Sequence, residues 1–163
     1  MKTVFFNILL LFVLNSFSKA TYNDTIATKL HGQGCGIIPN SEEVDYNITL
    51  LEKLQKTDSN NVLIYKHLAM QYYILWSREK NELLKEDYRQ KSIRNNLKVI
   101  EFIKLNNSEK YLKSSIINNL LVLFCFGKDC QNTKKYFALL KKREIKSMDN
   151  TTITFVKKSC NIE

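Results

Sequence analysis

The chain is 163 residues long, carries a formal net charge of +9, and contains one proline and four glycines. Three of those glycines crowd into HGQGCG at residues 31–36, which leaves the remainder almost without turn-forming residues, argues against a many-turned β-sandwich and favours long helices. The basic excess rests on 21 lysines against four arginines, and the scarcity of the side chain that grips phosphate bidentately sets nucleic acid aside as a partner.

The first twenty residues, MKTVFFNILLLFVLNSFSKA, set one lysine before an apolar run from Val4 to Val13 and end in small and polar residues. That pattern predicts a cleaved secretory signal peptide over 1–20, with a mature chain from Thr21, since the run is short for a spanning helix. The expected location is therefore exported, periplasmic or extracellular, with no stable membrane insertion after cleavage. Residues 21–38 read as a flexible glycine-containing segment. Within it, Gly32, Gly34 and Gly36 miss the GxGxxG spacing of a phosphate loop, and no strand precedes them.

Residues 39–163 read as a single helical domain. Pro39 and Asn40 followed by Glu43 form a capping-box start for a helix to about Lys56. Asp58 to Asn61 break it, and a second helix is expected from Val62 to about Arg78. Its sequence is apolar nearly all round except for a stripe of Asn60, His67, Gln71 and Arg78, which predicts a central, buried helix and a satisfied, buried His67. Residues 79–90 fit either a helix or a loop. From Lys91 to Leu105, Ile93, Leu97, Ile100 and Ile103 mark an apolar face opposite Lys91, Asn95, Lys98 and Lys104. A helix from about Glu109 to Phe126 ends in LLVLFCF, which has no polar side. Gly127 is expected at the position just past its C-terminus, Asp129 as the next cap, a short basic helix to about Arg143, and a last turn or helix from Asn150 through Lys158. The fold class is all-α, five or six helices packed as antiparallel hairpins or as a compact bundle and stapled by disulfides.

In an oxidising compartment the four cysteines, Cys35, Cys125, Cys130 and Cys160, are expected to form two disulfides. Spacing alone leaves three connectivities; the favoured one joins Cys125 to Cys130 around Gly127 and Cys35 to Cys160 across the mature chain. The Cys-x4-Cys pair is near zinc spacing but lacks a second close pair, so no metal and no cofactor are expected. Export also makes Asn23, Asn47, Asn106 and Asn150 formal glycan acceptors, each followed at the second position by Ser or Thr.

Removing Lys2 and Lys19 with the leader leaves +7, distributed unevenly. Residues 21–133 carry 15 basic and 13 acidic side chains, whereas 134–163 carry 8 and 3. Lys134, Lys135, Lys141, Lys142, Arg143 and Lys146 are thus the candidate partner-binding residues, suited to another protein with an acidic surface. No catalytic residues are assigned: Glu42 with Glu43 and Glu86 with Asp87 are consecutive and diverge by about 100° on a helix. Cys35 with His31 or His67 lacks an orienting third group. Tyr65, Tyr72, Tyr73 and Trp76 read as core or groove lining.

The stretch from Ile117 to Leu140 places Leu120, Leu121 and Phe124 on one helix, then a glycine-containing turn, then Phe137 and Leu140 on a second. That order, ending KKYFALLKK, resembles a tetratricopeptide helix-turn-helix unit, and Leu68 to Phe102 forms a second, longer candidate. Leu121 and Thr133 stand where that family places small residues. The resemblance covers about half the mature chain and implies stacked helical hairpins with a groove for a protein segment. The functional expectation is an exported, non-enzymatic protein-binding module, for instance a periplasmic inhibitor or immunity protein neutralising a secreted effector. The alternative is a secreted helical-bundle signalling ligand of cytokine type from a eukaryote.

Overall fold

A computed structural model of the chain describes residues 26–30, 39–106, 113–140, 145 and 150–162. Among them there is no strand. Six helices are seen: α1 (Ser41–Thr57), α2 (Val62–Arg78), α3 (Glu82–Asn106), α4 (Lys113–Phe126), α5 (Cys130–Phe137) and α6 (Asn150–Cys160), with a short 3-10 turn at Ala27–Lys29. By their contacts the described residues fall into two compact units, α1 to α3 with the preceding turn, and α4 to α6.

In the first unit, α1 begins where the capping residues place it. The Asn40 side chain accepts from the Glu43 amide at 2.9 Å, and the Asn40 amide donates to the Glu43 carboxylate at 2.7 Å. Two orphan amides are satisfied together, beside acidic side chains that suit the positive end of the helix dipole. Val44, Asn47 and Leu51, spaced by three and four, form the buried face of α1. The Asn61 side chain accepts from the Leu63 amide and opens α2, and eleven of the 17 residues of α2 are buried, as its nearly unbroken apolar sequence requires. The charged residues after Arg78 resolve into a break and a helix. Glu79 leaves the helical region, its carboxylate accepts from the Lys80 and Asn81 amides, and the Asn81 side chain accepts from Leu83 and Leu84 to start α3.

Helix α3 is 25 residues long, roughly 37 Å at 1.5 Å per residue. Its contact with α2 is the most extensive between elements. Ile93, Ile100 and Ile103 are buried as their spacing predicts, and Ser92, Asn96 and Val99 widen that face. Ser92 is small enough for close approach, and its hydroxyl donates to the Ala69 carbonyl of α2 at 2.8 Å. Ring contacts of Tyr65 with Phe102 (5.6 Å) and of Tyr72 with Tyr88 (6.4 Å) tie the same two helices further along. The segment expected to be flexible over 21–38 departs from that expectation at 26–30. Ile26 and Leu30 are buried in a cluster with Leu51, Leu63, Ile64, Leu68 and Tyr72, because two large aliphatic side chains one turn apart gain more from burial than the turn loses in entropy.

The second unit is built on α4, whose residues 116, 117 and 119–125 are all buried. Phe126 is the exception in LLVLFCF: it is 41% exposed and lies 5.1 Å, ring to ring, from Phe155 of α6. The end of α4 corrects the expected role of Gly127. The Asp129 amide donates to the Phe124 carbonyl (2.9 Å) and the Lys128 amide to that of Cys125 (3.0 Å), the paired bonds of a Schellman stop. In that register Lys128, with φ 57°, holds the left-handed position, and Gly127 precedes it. Asp129 then caps α5 as expected, accepting from the Asn132 amide at 3.0 Å. Helix α5 ends at Phe137, short of the expected Arg143; residues 141–144 lie outside the described ones. It buries Thr133, Tyr136 and Phe137, with Tyr136 stacked on Phe124 at 5.6 Å. Helix α6 buries Thr152, Val156 and Cys160, one every four residues.

The cysteine pairing is a second correction. Cys130 and Cys160 are joined, their Cα atoms 5.1 Å apart and 30 positions apart in sequence. This excludes both expected bridges, Cys125 with Cys130 and Cys35 with Cys160. The reason lies in the geometry of helix starts and ends. Cys130 opens α5 and Cys160 closes α6, and the packing of α5 on α6 brings those ends together. Cys125, inside α4, is buried and free, its sulfur 3.7 Å from the Thr133 hydroxyl. Cys35 lies outside the described residues.

Candidate functional site

Of the six expected partner-binding residues, Lys134 and Lys135 are described; Lys141, Lys142, Arg143 and Lys146 lie outside the described residues. Both described lysines are exposed on α5, on the stripe Gln131, Lys134, Lys135 and Ala138 that is left when Thr133, Tyr136 and Phe137 turn inward. No ion pair holds either ammonium group among the described residues. The Lys135 ammonium lies 5.6 Å from the centre of the Tyr136 ring, which orients it without cancelling its charge. Lys157 and Lys158 stand in the last turn of α6, near the negative end of that helix dipole.

Exposed apolar side chains accompany this charge. Phe126 and Leu139 are each about two-fifths exposed, and both belong to the same unit as Lys134 and Lys135. Sequence reading missed them, because LLVLFCF carries no polar residue to mark a solvent side and Leu139 sits in an apparent core run, YFALL. The signal that could have found Phe126 is its position as the last residue before Gly127, where a helix end turns outward.

The polar groups within the first unit serve packing. His67 is 3% exposed, and Asn47 and Gln71 are wholly enclosed, with Asn47 Nδ2 donating to Gln71 Oε1 at 3.4 Å between α1 and α2. The expected stripe thus divides: its middle members are enclosed, whereas Asn60 and Arg78 stay exposed. Tyr73 and Trp76 are buried and meet edge to face at 5.1 Å. The Tyr72 hydroxyl donates to Glu52 at 2.8 Å. Burial first, and then that bond to an anionic partner, push its pKa well above the ordinary tyrosine value. Tyr72 is therefore a neutral donor bracing α2 against α1. The Lys91 ammonium lies 5.5 Å from the centre of the Tyr72 ring and 2.8 Å from the Asp87 carboxylate.

Cys125 is a poor nucleophile where it stands. Burial pushes its thiol above the ordinary range, only partly opposed by the contact with Thr133. Among the described residues no three of His, Cys, Asp and Glu come together as a metal site, and no helix is long and apolar enough to cross a membrane. Exposed positive charge on Lys134 and Lys135 and exposed apolar area on Phe126 and Leu139 are what the second unit presents to solvent. A scan against protein-family models finds no match, and comparisons with curated proteins and with solved structures find none either.

Proposed function

We propose that this chain is an exported, non-enzymatic helical binding module that docks an acidic protein surface through its basic C-terminal end, residues 134–163. The observation that carries the reading is the exposed stripe of α5, where Lys134 and Lys135 stand in solvent without a carboxylate partner among the described residues. Long-range attraction from such charges raises the encounter rate, and exposed Phe126 and Leu139 supply apolar area for the docked state. The Cys130 to Cys160 bridge supports export, since such bonds persist in oxidising compartments, and it holds α5 as a rigid presenter of its lysines. The reading takes α4, a three-residue connection and α5 as the presenting element, the segment whose sequence resembles a tetratricopeptide hairpin. Lys141, Lys142, Arg143 and Lys146 extend the same charge along the chain; a periplasmic inhibitor that neutralises a secreted effector is one instance of this reading, and an extracellular helical ligand is another.

The test is capture of the partner from the compartment into which the chain is exported, followed by titration of purified components. The charge-reversed Lys134→Glu/Lys135→Glu variant should bind about tenfold or more weakly, with most of the loss in association rate and a shallower dependence on salt. Affinity unchanged by that reversal would show that the basic face is a solvated surface and nothing more.

A further inference from the structure

We infer that Asn150 carries an N-linked glycan in the folded, secreted chain and that the fold has no room for one at Asn47, which carries the same acceptor pattern. The inference rests on the exported reading above, in its extracellular form reached through a eukaryotic secretory route. Both residues begin an Asn-x-Thr triplet, Asn47-Ile48-Thr49 and Asn150-Thr151-Thr152, so the local sequence does not distinguish them. Tertiary placement does. Asn150 is the first residue of α6 and is exposed, leaving its amide free to carry a bulky, solvated sugar. Asn47 is wholly enclosed on α1, and the nitrogen that would bear the sugar donates to Gln71 of α2. A glycan there would have to displace α2, the most heavily buried helix of its unit. Of the other two triplets, Asn23-Asp24-Thr25 lies wholly outside the described residues, and Asn106-Asn107-Ser108 lies outside them after its first residue.

The same helix also sets the order of events. The transferase must engage the hydroxyl of the third residue, and Thr152 is 3% exposed once α6 is packed. Modification of Asn150 therefore precedes the closing of α6, which the Cys130 to Cys160 bond completes. In the step itself, Asn150 Nδ2 bonds to the anomeric carbon of a lipid-diphosphate-linked oligosaccharide. The anomeric carbon to oxygen bond breaks, the lipid diphosphate leaves with that electron pair, and one amide proton passes to solvent. Folding and glycosylation thus compete for one segment, and slower crosslinking raises occupancy at Asn150.

The experiment is secretion of the full chain from insect cells, followed by enzymatic deglycosylation in heavy-oxygen water and peptide mass spectrometry of the secreted material. Label is expected at Asn150 and not at Asn47. Asn150→Gln and Thr152→Ala should each remove one glycan, Thr152→Ser should retain it, and Thr49→Ala should leave the pattern unchanged. Cys130→Ser, or a mild reductant during synthesis, should raise occupancy at Asn150. Secreted chain labelled at Asn47, or bare at Asn150 in both wild type and the reductant-treated sample, overturns the assignment. A chain that keeps its leader and never enters the secretory route overturns the exported reading itself, and the glycan with it.

Discussion

Lys128 and Asn161 are the two non-glycine residues with positive φ among those described, and each closes a helix in the same way. The Asp129 amide reaches back to Phe124 across Lys128, and the Ile162 amide reaches back to Lys157 across Asn161. Asparagine visits the left-handed region at little cost, whereas lysine meets the full clash between its Cβ and the following carbonyl. Lys128→Gly should therefore stabilise the protein by about 0.5–1 kcal/mol, the relief of roughly 1–2 kcal/mol reduced by the extra freedom glycine has when unfolded. Asn161→Gly should gain distinctly less, and denaturant unfolding of the two variants measures the difference. Gly127 was legible as punctuation, but the register of the stop was not. A one-residue shift depends on which amide the last carbonyls of α4 capture, and Asp129, already committed to capping α5, decides it.

Between elements, the disulfide links the start of α5 to the end of α6 over 30 positions. Loop closure of that length predicts that reduction destabilises the α4 to α6 unit by about 3–4 kcal/mol. Amide exchange in α6 should then accelerate by two orders of magnitude or more, on the order of 10² to 10³ for a loss of that size. Exchange unaffected by reductant would mean that packing of Thr152 and Val156 alone holds the helix. The α1 side behaves differently, since its anchor is the capping box and a buried face. Leu51→Ala, at a fully buried position of the cluster that also holds Ile26 and Leu30, should cost about 2–5 kcal/mol in urea titration. Only one of these anchors was readable: the capping box was spelled out locally, whereas burial of Ile26 and Leu30 was not, since two apolar residues in a polar stretch acquire partners only when α1 and α2 meet.

Across the whole molecule, the buried tyrosines couple stability to alkaline pH. Burial pushes Tyr73 well above its ordinary pKa, and Tyr72 is raised by burial and then by its bond to Glu52. An unfolded tyrosine loses its proton at about pH 10, so above that pH the unfolded chain binds fewer protons than the folded one. The sign follows: this contribution is complete below about pH 10 and is lost as pH rises toward the folded values, by up to about 1.4 kcal/mol per pH unit for each tyrosine. The melting temperature should fall between about pH 9 and pH 11, and Tyr73→Phe should make that fall shallower. A slope identical in wild type and variant would show that Tyr73 is solvated.

By itself the sequence determined the helical class, the starts of α1, α2 and α5, and the charge gradient toward the C-terminus. Those depend on neighbouring residues, on capping side chains and on the scarcity of proline and glycine. Tertiary structure decided which cysteines meet, which of two Asn-x-Thr triplets keeps its asparagine exposed, and which lysines and apolar side chains remain in solvent. The cysteine pairing and the burial of Asn47 are relations between segments far apart in the chain, set by which helix faces bury the most apolar surface together, and no local pattern around Cys160 or Asn47 encodes them.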